Sequence, residues 1–153
     1  MTAPASPPIG LQLSTAAKAI GRAFDDSLAT AGGTVPTWLV LISLKTRRLG
    51  TQRELAAAVG IQGATLTHHL NAMETDGLVT RRRDAANRRV HIVEITERGE
   101  AAFHRMRAAA VAFDRQLRAG VSHDDAATLG RLLARLRDNV AHDHPPAQPP
   151  DGS

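Results

Sequence analysis

Five arginines lie within nine residues, in two groups that flank a short polar segment. The first group is Arg81–Arg83, and the second is Arg88 and Arg89. Guanidinium groups this close together repel one another unless an anion is present. Arginine binds backbone phosphates and enters narrow minor grooves of DNA. The cluster therefore predicts a binding site for a polyanion.

Charge is distributed unevenly along the chain. Residues 45–92 carry nine basic and four acidic side chains, whereas the rest of the chain carries ten basic and eleven acidic ones. A basic centre in a neutral frame is typical of modules that bind nucleic acid. Charge alone is equally consistent with a surface that only keeps the protein in solution, so both interpretations stay open at this point.

A second set of side chains with suitable chemistry follows a helical period over residues 62–76. Leu66, Leu70 and Met73 recur at the spacing of an inner face. We expect His69 to pack beside that face. The opposite face carries small or medium side chains, most with hydrogen-bonding groups: Gln62, Ala64, Thr65, His68 and Asn71. Such a face can approach base edges in a major groove, and the start of the helix favours phosphate. The alternative is a plain solvated helix.

Capping and turn signals predict the elements that must position these two sets. Thr51 and Glu54 form a capping box that begins a helix over residues 52–59, and Gly60 supplies a turn before the second helix. Residues 78–83 and 89–95 have the pattern of two strands joined by a polar turn. The order helix, turn, helix, basic hairpin predicts a winged helix-turn-helix.

Further helices are expected on both sides of this unit. Apolar residues recur every three or four positions before residue 34, and again after Thr96. The predicted fold is mainly α with a small β-hairpin wing (α+β). Its lobe spans 35–96, with dimerisation helices at 9–34 and 97–140. The proline-containing ends, 1–8 and 141–153, are expected to be a disordered lead and tail.

The chain resembles the MarR family of bacterial winged helix-turn-helix transcription regulators over roughly residues 9–140. The similarity is carried by Gln52–Ala56, Gly63–Leu70, Gly77–Val79, Arg82–Arg89 and Glu94–Gly99, and the wing segment is its most specific part. The resemblance implies a triangular homodimer that binds double-stranded DNA at a pseudo-palindromic operator. It also implies a repressor that a small-molecule effector releases.

The wing departs from the family in one position. The family carries Asp-x-Arg at the tip, whereas this chain has Asn87, Arg88 and Arg89, which weakens any ion pair that orients the last arginine. We expect Arg89 to enter the minor groove and Arg88 to contact phosphate or Asp84. The predicted DNA contacts are Gln62, Gly63, Ala64, Thr65, Thr67, His68, Arg81, Arg82, Arg83, Arg88 and Arg89.

The apolar seams of the outer helices fit a dimer interface, although they could instead pack within one chain. The predicted interface residues are Leu13, Ile20, Met106, Phe113, Leu117, Leu129, Leu133 and Leu136. Family members bind small aromatic effectors between these helices and the lobe. Candidates for such a pocket are Phe24, Trp38, Leu41 and Phe103, for each of which an ordinary core position is the better interpretation.

The absence of cysteine excludes disulfides, thiol-based sensing and cysteine-ligated zinc. Seven histidines leave a zinc-responsive regulator of the same fold as an alternative. The weak ligand candidates are Asp25, Asp26, His104, His142 and His144, and none of them has a strong ligand spacing. We therefore expect no metal site and no cofactor.

Other classes of function have less support. The chain has no glycine-rich phosphate loop and no nucleophile–histidine–acid pattern, so we do not expect an enzyme. A winged-helix module that binds an acidic protein stays an alternative. No apolar run approaches the roughly 20 residues of a membrane span, and residues 1–8 do not have the pattern of a signal peptide. We expect a cytoplasmic protein with no membrane partner.

Overall fold

The computed structural model describes residues 6–46 and 50–141. Within these ranges it contains six helices and one two-stranded antiparallel sheet, in the predicted order. The elements are α1 (Ile9–Thr30), α2 (Val35–Thr46), α3 (Gln52–Val59), α4 (Gly63–Thr75), β1 (Val79–Arg83), β2 (His91–Ile95), α5 (Glu97–Leu117) and α6 (His123–Ala141). The predicted fold class, mainly α with a hairpin wing, is confirmed. Disorder predicted for 1–5 and 142–153 lies outside the described residues.

The chain divides into two units after Phe113. In the first unit, every element contributes to one hydrophobic core. The buried core residues are Leu28, Trp38, Val40, Leu41, Leu55, Leu66, Leu70, Met73, Val79, Val93, Ala102, Phe103 and Met106. In the second unit, α6 buries none of its residues and leaves several leucines exposed.

Met106 corrects the predicted dimer interface. Its side chain is only 1% exposed within one chain, so it belongs to the core and not to an outer surface. A Cβ added at Gly33 would come within 2.1 Å of the Met106 sulfur, which shows how closely α5 approaches the end of α1. The seam along α5 suits a core and an interface equally well, and spacing alone did not separate its inner turns from its outer ones.

The hairpin is in register from Val79 opposite Ile95 to Arg83 opposite His91. Strand β2 begins two residues later than predicted because the Val90 amide donates to the Asn87 carbonyl (2.9 Å) and closes a turn. The backbone in front of α3 also runs along β2, since the Val93 amide donates to the Gly50 carbonyl (2.7 Å). The sequence did not predict that this third backbone segment pairs with the hairpin and joins the wing to the helix-turn-helix.

No single helix in the described ranges is long and apolar enough to cross a membrane. Helices α1 and α2, which meet at a 76° bend, reach that length and composition only as a pair.

Candidate nucleic-acid interface

Helix α3 begins at the predicted capping box. The Glu54 amide donates to the Thr51 hydroxyl, and the Thr51 amide donates to the Glu54 carboxylate, both at 3.1 Å. The Thr51 amide and hydroxyl hold the pKa of Glu54 below its ordinary value of 4.5. At the other end, Gly60 adopts a left-handed φ of +73°, which a residue with a Cβ rarely adopts. These two ends fix the length of α3 and the turn into α4.

Helix α4 presents its predicted polar face. Leu66, Leu70 and Met73 are buried, and His69 is half-buried beside them as expected. The exposed residues at the start and along the outside of the helix are Gln62, Gly63, Ala64, Thr65, His68 and Asn71. The outward face therefore offers one amide, one hydroxyl and one imidazole over its first two turns, with little bulk between them.

Thr67 is half-buried and does not lie on the exposed face with these residues. Its hydroxyl accepts a hydrogen bond from the Gln52 side-chain amide (2.6 Å) and donates to the Gly63 carbonyl (2.9 Å). Thr67 thus ties α3 to α4 from a half-buried position. Its predicted role as a DNA contact stays a prediction.

The five wing arginines separate into two groups. Arg81 forms an ion pair with Glu74 of α4 (2.6 Å), and Arg82 forms one with Glu94 across the hairpin (3.2 Å). The other three, Arg83, Arg88 and Arg89, are exposed and form no ion pair with any described residue. They can bind an anion without first giving up an intramolecular partner.

The loop at the wing tip is shaped by two side chains that accept backbone hydrogen bonds. Asp84 accepts from the Ala86 amide and Asn87 accepts from the Arg89 amide, each at 3.1 Å. Asn87 therefore orders the backbone at Arg89 without a charge, in the position where the family resemblance implies an aspartate. The suggested ion pair between Asp84 and Arg88 is absent from the described contacts.

Two clefts flank the wing. One, with a volume of about 360 Å³, lies beside the start of α3, and its lining includes Arg53, Arg89 and His91. The other, about 420 Å³, lies beside α4, and its lining includes Arg83 and again His91. His91 and Arg53 were not predicted as site residues. The strand alternation contains a signal for His91, because it places this residue opposite Arg83 on one face of the hairpin.

The candidates for an effector pocket take part in the packing of the core. Trp38 and Phe103 are buried and stacked 5.7 Å apart, Leu41 is fully buried, and Phe24 packs against Phe113 (5.1 Å). These are core positions.

The other seven predicted interface residues are exposed or half-buried. Four are exposed, namely Ile20, Leu117, Leu129 and Leu133, and three are half-buried, namely Leu13, Phe113 and Leu136.

Among the described residues, no three metal-ligating side chains come together. Asp25, Asp26 and His104 are exposed on their helices. His142 and His144 lie outside the described residues.

Comparison with known proteins places this architecture among bacterial regulators. The MarR family model matches residues 34–91. Over 90 residues the chain is 31% identical to YdgJ of Bacillus subtilis, an uncharacterised HTH-type transcriptional regulator. That stretch covers 59% of this chain and 55% of YdgJ, so the chain spans about half the length of this curated relative.

Two solved structures are similar over most of the chain. A probable transcriptional regulator from Pseudomonas aeruginosa is 28% identical with a TM-score of 0.73, covering 85% of this chain and 97% of that one. The transcriptional repressor CouR, bound to a 23-mer DNA duplex, is 27% identical with a TM-score of 0.76, covering 85% and 92%.

Proposed function

We propose that this chain, whose residues 34–91 match the MarR family model, is a transcription regulator of that family that binds a specific duplex DNA site as a homodimer. The observations that carry the proposal are the exposed polar face of α4 and the three exposed wing arginines that form no ion pair with a described residue. The face reads base edges in the major groove. The arginines bind phosphates and the minor groove on either side of it. CouR, a repressor of similar fold, is bound to a DNA duplex.

A homodimer supplies a second winged helix-turn-helix and covers exposed apolar surface. Leu129, Leu132 and Leu133 of α6 are between 41% and 53% exposed in a single chain. We expect a two-fold dimer to bind half-sites one helical turn of DNA apart, about 34–36 Å. The operator is then a pseudo-palindrome whose half-sites have that spacing.

The decisive experiment is selection of bound duplexes from a random pool by the purified protein. The expected result is a two-fold-symmetric consensus, together with a dimer in solution by light scattering. Binding to any duplex should weaken steeply with salt, while binding to the selected duplex should persist to higher ionic strength. A monomer, or a protein that ignores duplex DNA at low salt, contradicts the proposal.

The same assay distinguishes a DNA-binding regulator from the alternative, a module that binds an acidic protein. Such a module retains salt-dependent attraction to anions but yields no consensus from the pool, because nothing in it reads base edges. For a zinc-responsive regulator, added Zn²⁺ changes the affinity for the selected duplex. We expect no change, since the described residues bring no three ligands together.

We further propose that the protein represses in the cytoplasm, is released by a small molecule, and has no enzymatic activity. Repression is supported by the likeness to CouR. Release is tested by adding small phenolic compounds to the complex with the selected duplex. An effector lowers duplex affinity and raises the unfolding temperature of the free protein. A ligand with equal affinity for both states does not shift binding.

A further inference from the structure

Arg81 differs from the other wing arginines in what it touches. Its Nε donates to the Glu74 carboxylate at 2.6 Å, and its terminal nitrogen donates to the Asn71 side-chain oxygen. Asn71 and Glu74 lie three residues apart on α4, so one guanidinium spans almost a full turn of that helix. Its planar fork is suited to two acceptors at once, which a lysine ammonium cannot match in the same way.

Burial separates Arg81 from its neighbours as well. Its side chain is 20% exposed, compared with 55% for Arg82, whose partner Glu94 lies within the same hairpin. Arg81 stands opposite the buried Val93, in the middle of the hairpin register and on its inner face. Among the described ion pairs, the one with Arg81 is the only one that joins the wing to α4.

We propose that Arg81 is a positioning residue that sets the angle between the wing and α4, and that it does not contact phosphate. The inference rests on the proposed DNA-binding function and assigns a part of it. Arg81 also neutralises Glu74, whose carboxylate lines the cleft beside the wing. We call the contacts of Arg81 with Asn71 and Glu74 the clamp. The clamp fixes the position of the exposed arginines near the wing tip relative to the polar face of α4. Without it, the same charges reach DNA but the helix is out of register with the bases.

The test is Arg81→Lys, which keeps the charge and removes the fork. Affinity for random duplex and its salt slope should stay at the wild-type values. The preference for the selected duplex over random DNA should fall about tenfold, on the order of one lost base contact. Glu74→Gln, which removes the charge of the ion pair but keeps an acceptor oxygen, should cause a smaller loss of preference while affinity for random duplex rises. Arg118→Lys is the matched control, because it makes the same substitution at another ion-paired arginine, which binds Asp114 (3.7 Å) outside the wing and α4, and it should keep the wild-type preference.

Two results would overturn the assignment. The first is wild-type preference in both Arg81→Lys and Glu74→Gln. The second is a fall of about 1.8 in the salt slope of the Arg81→Met dimer with the preference unchanged, because two lost phosphate contacts produce that change. A wild-type protein that binds no duplex at low salt is a different outcome and overturns the proposed function. The clamp itself would then still register as non-additive unfolding temperatures in the Arg81→Met and Glu74→Gln double-mutant cycle.

Discussion

The junction between the wing and α5 is the place where one added methyl group should have the largest effect. Thr96 donates from its hydroxyl to the Gly77 carbonyl (2.5 Å) and accepts from the Gly99 amide (3.0 Å). Its own amide donates to the Leu78 carbonyl (3.0 Å). The end of α4, the base of β1 and the start of α5 therefore meet at a single threonine, and Gly99 is buried against it.

The change Gly99→Ala would place a Cβ 2.0 Å from the Leu78 carbonyl oxygen and 2.8 Å from a side-chain carbon of Ile95. Real Cβ contacts stay beyond 3.0 Å, so α5 must withdraw from the wing by about 1 Å. Overpacking of this kind costs about 1–3 kcal/mol, and two hydrogen bonds lost at Thr96 add about 2 kcal/mol. Alanine returns up to about 1 kcal/mol of helix propensity. The net loss in the free energy of unfolding is about 3 kcal/mol.

Thermal unfolding by circular dichroism measures this loss, at one protein concentration because a dimer melts at a concentration-dependent temperature. About 3 kcal/mol corresponds to a fall of roughly 6–12 °C for a chain of this size. The matched control is Gly21→Ala in α1, where no described atom lies within 4 Å of the new Cβ. It should leave the unfolding temperature unchanged or slightly raised. A wild-type melting temperature for Gly99→Ala would refute the close contact, and an equal fall in both variants would trace the loss to glycine replacement in general.

Three further changes test the interface and its support. Arg89→Ala should weaken binding to the selected duplex about tenfold, measured by fluorescence anisotropy at moderate salt; unchanged affinity there would remove Arg89 from the wing contacts. His68→Ala should lower the preference for selected over random duplex about tenfold while affinity for random DNA holds, whereas equal losses on both would mean that His68 reads no base. Glu54 has a folded pKa below 4.5, so it stabilises α3 above that pH and loses this effect as the pH falls through the lower value. The gap in unfolding temperature between wild type and Glu54→Gln should therefore close on acidification, and a gap that does not change with pH would contradict the capping role.

The elements that depend on local chemistry could be predicted from the sequence. A capping box depends only on side chains three residues apart, so the start of α3 at Thr51 was predictable. The faces of α4 depend only on helical period, which correctly placed His68 outside and His69 beside the core. Strand alternation likewise placed Val93 on the face opposite Ile92. In each case the deciding residues are neighbours in sequence.

The parts that could not be predicted depend on contacts between elements. Charge and position gave Arg81 the same predicted role as Arg83, and only the contact of Arg81 with Glu74 of α4 separates them. Thr67 follows the buried Leu66 at the edge of the outward face, where Gln52 reaches it from α3. Met106 has the period of the α5 seam, yet Gly33, between α1 and α2, lies close against its side chain. A periodic pattern states which side of a helix is apolar and says nothing about which neighbour covers it.

The wing is attached along its base and side but not at its tip, and this division suits its two tasks. At the base, Thr96 binds the Gly77 carbonyl; along one edge, Val93 binds Gly50; at the side, Arg81 binds Glu74. Beyond Arg83, the described hydrogen bonds and ion pairs of the loop stay within the hairpin. Base reading requires a fixed helix, because a displacement of about 1 Å loses directional hydrogen bonds. Phosphate and minor-groove contacts by arginine tolerate local adjustment, since they depend mainly on charge. The exposed arginines near the tip can therefore follow the shape of the duplex while α4 keeps its register.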